Sequence, residues 1–498
     1  MSLLQLLFCN MRLITKILIF AMLLFATFCF GQEQQSSHTD TKIDKADLKH
    51  YVLTLTSDSL EGRATGSIGQ QKAAAFIAGK FKAIGLQPYY KGSFYQPFCL
   101  KQTYWGEVYL KSAAQRFDNY EDIIFAGYSA QNTEADKQLV FGGWGTDEDL
   151  KQIDVRDKIV FLFCKSLRSY DRLSISMGKL GAYGIILANP TDETDFTTRK
   201  ERDRQTFLRK RISEMKDEIN FFKLFRIDSV HLANSMLISN DRIQELMRVS
   251  KNDLNKASQQ KKLSQIPPVP VKVKFERLCD TLKTANICGF IPGNTDKSII
   301  ISAHYDHLGK KDDIYYPGAD DNASGTAALM ELAEEFAGCK NLRYNLVFLA
   351  TSAEENGLLG AKAFVADAGF DSSKVVCNLN IDMIARADNE HSPSQKYLYC
   401  IGTGNSTDFK TIMTMAAEGV QTCSFDFSLD TDDYNTGMFT RADQYVFHKK
   451  KIPSIFFFSG LHADYHKPTD TEDKINYNVY LSRVQLIGRV IKLIESGY

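Results

Sequence analysis

Four near-continuous apolar runs punctuate the C-terminal half of the chain: SIIISA (298–303), YNLVFLAT (344–351), VCNLNIDMI (376–384) and IPSIFFFS (452–459). Runs of this kind, apolar at odd and even positions alike, predict strands buried on both faces of a largely parallel sheet. Between the first two lies NASGTAALMELAEEFAG, where Leu329, Leu332, Ala333 and Phe336 recur at helical spacing and predict a helix packed on that sheet. Strands and helices alternating from Val271 onward predict an α/β domain.

The N-terminal half is patterned differently. A helical pattern begins near Leu48, and QQKAAAFIAGKFKAIG predicts a second helix closed by Gly85. A β-rich stretch follows to about Gly127. Between Ser129 and Asn255, LVFGGWG, KIVFLF and GAYGIILAN predict short strands separated by turns. The segment from Thr197 to Phe225 is dense in both charge signs. It reads first as a solvated helix face and second as a basic lid. The stretch KNDLNKASQQKKLSQIPPVP reads as a linker or domain border.

Charge excludes one function class. The chain has 60 basic and 60 acidic residues among 498, with no basic, aromatic-interleaved patch, so nucleic acid is not an expected partner. The N-terminus alters the boundaries. Arg12 and Lys16 precede the apolar run ILIFAMLLFATFCF, which ends at Gly31. That layout predicts a signal peptide over 1–31 and a secreted or periplasmic protein with no transmembrane segment in the mature chain. Cys29 is not expected to carry a lipid, because Phe28 stands where a small residue is needed. Residues 32–43 are expected to be a disordered linker. The eight later cysteines, Cys99 to Cys423, contain no CxxC pair, and their disulfide pairing is not legible.

Chemistry gathers at the ends of the apolar runs. His304 and Asp306 follow the first, Glu354 and Glu355 the second, Asp382 closes the third and His466 follows the fourth. Ligand crevices of open α/β sheets lie at the carboxyl ends of the strands. Carboxylates and imidazoles collected there would repel one another without a cation. The turn GADDNASG adds Asp320 and Asp321, a pair that a solvated turn would also explain. There is no Walker A loop and no GxSxG elbow.

Taken in order, AHYDHLG, GADDNASG, ATSAEENGLLGA, NLNIDM and DYHKPTDT resemble the secreted dizinc metallo-aminopeptidases of the bacterial leucyl-aminopeptidase type. The opening SDSLEGRATGSIGQQKAAAFIAGKFKAIG resembles their N-terminal segment, and the middle stretch resembles an inserted protease-associated domain. The resemblance implies a zinc exopeptidase fold: a mixed, largely parallel central sheet flanked by helices, with an inserted β-rich domain. Its implied boundaries are 44–128 and 263–498 for the peptidase domain and 129–262 for the insertion.

The resemblance also implies two zinc ions and peptide substrates with a free N-terminus. His304 and Asp382 would hold one ion, Glu355 and His466 the other, with Asp320 bridging. Glu354 would be the general base, Tyr465 a donor to the developing oxyanion, and Asp306 and Asp321 supporting residues around the ligands. A cis peptide bond is expected between Asp320 and Asp321. Arg441-Ala442-Asp443-Gln444 departs from the Ser-Asp-His run of the family. The pocket for the N-terminal side chain is expected from Cys400–Gly404 and Ser424–Phe439. Two alternatives remain open: a glutamate-carboxypeptidase-like peptidase, and a non-catalytic peptide-binding protein on the same scaffold.

Overall fold

In the computed structural model, residues 42–497 are described apart from 128, 167–169, 209, 216–231, 312, 392–393, 407 and 432–436. The expected signal peptide and residues 32–41 of the expected linker lie outside the described residues. So do parts of the charged 197–225 segment and of the 424–439 loop. The end of the linker is ordered, contrary to expectation. Ile43 is buried in the main core, and the Lys42 N–H donates to Glu335 at 2.6 Å.

Helices α1 (Lys45–Leu55) and α2 (Ile68–Ala83) lead into the long strand β1 (Tyr95–Ser112). Then come β2 (Ile123–Phe125), β3 (Gln131–Phe141), β4 (Ile159–Phe163), β5 (Gly184–Ala188), α3 (Thr194–Leu208), β6 (Arg211–Glu214), β7 (Asn234–Ile238) and α4 (Lys251–Gln259). Strand β8 (Val269–Ile291) returns the chain to the first unit. There follow β9 (Ser298–His304), α5 (Gly325–Ala337), β10 (Asn345–Thr351), α6 (Leu359–Ala366), β11 (Val375–Ile381), β12 (Tyr397–Ile401), β13 (Ser424–Asp426), α7 (Gln444–His448), β14 (Ser454–Phe458) and α8 (Tyr477–Ser496).

All of these strands join one sheet, in the order β13-β12-β14-β11-β9-β10-β8-β3-β4-β5-β7-β2, with β1 paired to β8 and β6 to β1. In the C-terminal unit, β14, β11, β9 and β10 run parallel, as their unbroken apolar sequences require. Strand β12, which the pattern did not predict, lies antiparallel to β14. One face of this sheet packs on α1, α2, α5 and α8. The other face packs Ile300, Val347 and Leu349 on Phe364 of α6 and Phe447 of α7.

A second core surrounds the parallel strands β3, β4, β5 and β7. It draws on both flanks of 129–262: Val108, Leu110 and Phe125 before it, and Val271 and Phe275 after it. The supposed linker near 251 is a helix. Ser250 caps α4 by accepting the Asp253 N–H at 3.1 Å, and Leu254 is fully buried in the second core. Its charged residues mark the outer face of a packed helix. Pro270 lies inside β8 and so ends nothing.

All eight described cysteines are unbonded. Among the described residues, no helix is long and apolar enough to cross a membrane.

Candidate metal centre

The parallel strands deliver their side chains to one edge. His304 is the last residue of β9, Asp382 follows β11, and Glu354 and Glu355 lie in the turn after β10. Asp321 comes from the turn that opens α5, and His466 from the loop after β14. Ala353, Met383 and His466 hold left-handed backbone angles, a conformation uncommon outside glycine that concentrates at functional sites.

Asp321 sits at the centre. Its Oδ1 lies 3.4 Å from His304 Nε2, and its Oδ2 lies 3.1 Å from His466 Nε2 and 3.9 Å from His307 Nδ1. Two donor groups therefore share it: His304, Asp321 and Asp382 on one side, His307, Asp321 and Glu355 on the other, each with atoms within 4.8 Å of one another. Asp382 Oδ1 is 3.2 Å from His304 Nε2. Glu355 reaches His307 Nδ1 at 2.8 Å and His466 Nε2 at 3.1 Å.

The expectation that Asp320 lies between the two groups is thus corrected to Asp321. Asp320 points inward, where Oδ1 accepts from the Ala385 N–H at 2.7 Å and from Ser324 Oγ at 3.1 Å, and Oδ2 lies 3.3 Å from His462 Nε2. The cis bond also falls one residue later than expected, between Asp321 and Asn322. Asp470, inside the DYHKPTDT motif but given no role from sequence, accepts the N–H groups of Asp320 at 3.0 Å and Asp321 at 3.1 Å. It fixes the backbone from which both aspartates project.

Asp306 supports the cluster in two ways. Its carbonyl accepts the His304 Nδ1–H at 3.1 Å, and its carboxylate accepts the Glu354 N–H at 3.1 Å and the Thr65 hydroxyl at 3.0 Å. With Nδ1 committed as donor, the remaining nitrogen of a neutral His304 turns a lone pair toward Asp382 and Asp321. That contact is favourable only with a proton or a cation between them.

The electrostatics follow from burial. Burial pushes the Glu354 carboxyl well above the usual range, with Glu355, Asp382 and Asp443 adding to the effect against His304. Asp443, fully buried, is pushed up to about 7 by burial, against the hydrogen bond from the Thr351 hydroxyl. Asp321 goes the other way. Burial raises it, but His307, His304 and His466 together hold it well below the ordinary value. This set of imidazoles and carboxylates fits divalent zinc, which takes both ligand types. Bound cations would neutralise the mutual repulsion.

Tyr465 lies beside His466 with its ring stacked at 3.9 Å, and Arg441 donates to its hydroxyl at 3.2 Å. Burial, then Asp321 and Glu355, push its phenol pKa above the ordinary value, so the O–H keeps its proton. The apolar wall over the carboxylates is made by Met383, Met438, Phe456, Phe458 and Leu461. Met438 belongs to the expected 424–439 loop, whereas none of 400–404 lines this wall. His307 is the cluster member given no role from sequence. It stands in AHYDHLG only three residues after His304, and that spacing was the available signal.

Residues 286–491 match the profile described as Peptidase family M28. A probable leucine aminopeptidase of Trichophyton verrucosum is 33% identical over 117 residues, covering 22% of this chain and 31% of that one. The chain spans about a third of the length of the first such relatives. A probable lipoprotein aminopeptidase of Mycobacterium tuberculosis, LpqL, is 25% identical over 238 residues, covering 42% of this chain and 45% of that one. Among solved structures, the zinc aminopeptidase BSAP of Bacillus subtilis aligns with a TM-score of 0.50 at 18% identity, covering 91% of this chain and 96% of that one. That likeness establishes a shared fold.

Proposed function

We propose that this chain, whose residues 286–491 match the profile of peptidase family M28, is a member of that family and a zinc-dependent aminopeptidase that removes N-terminal residues from peptides. The observation carrying this reading is the division of Asp321, one oxygen toward His304 and the other toward His466. Two cations sharing one carboxylate require that arrangement. His304 and Asp382 would hold one zinc, Glu355 and His466 the other, with Asp321 between them and Asp320 supporting the turn. Bound there, zinc would polarise the scissile carbonyl and acidify a water.

Glu354 is the general base in this reading. It takes a proton from the attacking water and returns it to the departing amine. Its buried, carboxylate-rich surroundings raise its proton affinity, as that exchange demands. The Asp306 carboxylate holds the Glu354 backbone, which fixes where the base can reach. Tyr465 donates to the carbonyl oxygen as charge builds on it, while Arg441 holds the phenol in place. The apolar wall of Met383, Met438, Phe456, Phe458 and Leu461 favours an apolar N-terminal side chain. The names of the relatives, leucine aminopeptidases among them, support the same preference. The apolar run ending at Phe30 supports export, and the second unit reads as a protease-associated domain.

The test is direct. Purified chain should carry close to two zinc ions and hydrolyse leucyl anilide, with activity lost to a chelator. Stoichiometric zinc without hydrolysis of any free-amine peptide would favour a binding protein instead. Cleavage of N-blocked peptides from the carboxyl end would favour the carboxypeptidase.

A further inference from the structure

A groove of about 650 Å³ leads away from Glu354, Glu355 and His466 along α6 and α7. Its two ends differ in charge. The inner end is the carboxylate cluster. The outer wall carries Lys362 on α6 and Lys449 and Lys450 just beyond α7, and Arg441 stands between the two ends. Among the described residues, no carboxylate lies within ion-pairing distance of Lys362, Lys449 or Lys450, whereas lysines such as Lys80, Lys137, Lys274, Lys474 and Lys492 are paired in this way. Lys449 lies over the Tyr445 ring, 5.0 Å from its centre. Besides Glu354 and Glu355, the lining holds one further acid, Glu214, the last residue of β6 in the second unit.

Three uncompensated ammonium groups along one wall make a local positive field, and the groove focuses it. A peptide whose amine end enters the carboxylate cluster must run its remaining length past that wall. We propose that Lys362, Lys449 and Lys450 form a subsite for a substrate carboxylate, so that the enzyme favours short peptides whose free C-terminal carboxylate reaches it. Glu214, the other acid of the lining, would repel a carboxylate that came near it and so leaves the lysines as its partners. The subsite rests on the aminopeptidase reading. It goes beyond it by selecting the far end of the substrate, which the metal centre does not touch.

The experiment compares kcat/KM for a leucine-initiated series, dipeptide to pentapeptide, each as free acid and as C-terminal amide, at low and high salt. At one length or more the acid should exceed the amide by about tenfold at low salt, the combined effect of several exposed charge contacts. The preference should shrink as salt screens it. In a Lys362→Ala, Lys449→Ala, Lys450→Ala variant the acid-to-amide ratio should fall to near one; being a ratio, it is insensitive to a general loss of rate. An aspartate placed in an amidated peptide separates the two sources of a carboxylate: if it restores the lost rate, the subsite takes acidic side chains as well. Equal rates for acid and amide at every length would overturn the subsite while leaving the aminopeptidase intact. Failure to cleave either series or leucyl anilide would overturn the aminopeptidase reading and the subsite with it.

Discussion

The fully buried guanidinium of Arg63 donates to the carbonyl oxygen of Gly318 at 3.0 Å, reaching from the N-terminal segment to the turn that presents Asp321. The same side chain donates to the carbonyls of Pro317 at 2.7 Å, Tyr305 at 2.9 Å and Leu55 at 2.5 Å. One planar cation thus ties together the loop after β9, the end of α1 and the turn before α5. Burial lowers its pKa to about 10, partly offset by Asp321 and Asp306, so it stays charged at neutral pH.

Arg63→Ala leaves four carbonyls, three of them in buried bonds and that of Pro317 part-buried, without this donor. Each such orphan costs about 1–3 kcal/mol, so a loss of roughly 3 kcal/mol or more is expected in denaturant unfolding. Arg63→Lys should fall between, since an ammonium cannot reproduce the fork. A change under about 0.5 kcal/mol for Ala would show that the clamp is not structural.

Asp321→Asn and Asp320→Asn should separate cleanly by metal content. The first removes the shared carboxylate and should abolish binding of at least one zinc. The second leaves both donor groups intact and should retain zinc, at the cost of about 1–3 kcal/mol from its buried hydrogen bonds. Metal analysis after gel filtration reads both. Equal zinc loss in the two variants would return the bridge to doubt.

Glu354→Gln should keep its zinc and lose about 10²–10⁴-fold in kcat for leucyl anilide, the range for removing a general base. Its backbone contact to Asp306 does not depend on the side chain, so the fold should be unchanged by circular dichroism. Activity within fivefold of the parent would exclude the role.

Glu331, on α5 and 1% exposed, gives a pH signature away from the candidate metal centre. Burial, then Asp47 and Glu334, raise its carboxyl to about 7 from an ordinary 4.5, despite the Asp44 N–H that it accepts. A raised folded-state value favours the protonated form. Its stabilising contribution is therefore complete below about pH 4.5 and is lost as pH rises through about 7. Between those values Glu331→Gln should unfold with a flatter pH dependence than the parent. Parallel unfolding profiles for the two proteins would refute the assignment.

Much of the C-terminal unit was legible because parallel strands leave a strong mark. Their runs stay apolar on both faces, and polar residues at their ends stand out against that background. His304, Glu354, Glu355 and Asp382 were visible for this reason. The choice between Asp320 and Asp321 was not, since adjacent residues share one local pattern. It rests on partners distant in the chain, Ala385, His462 and Asp470, which no local pattern foretells. Arg63 was hidden likewise, because an arginine in a polar segment reads as solvated until four carbonyls converge on it. Helix α4 was missed for the opposite reason: only Leu254 and two small residues turn inward, too few to announce a helix.

Strand β8 has a mechanical consequence. Its first half belongs to the second core, while near its other end Asn286 accepts the Ser352 N–H at 3.0 Å and donates to the Gly360 carbonyl at 2.9 Å. Those bonds hold both ends of the segment that carries Glu354 and Glu355. Glu214 is laced to the same beam through β1. Glu354 and Glu214 are therefore both tied to one continuous strand, the first through Asn286 and the second through β1. The path from Glu214 to the turn of Glu354 and Glu355 thus runs through paired strands and one buried asparagine, not through a loop.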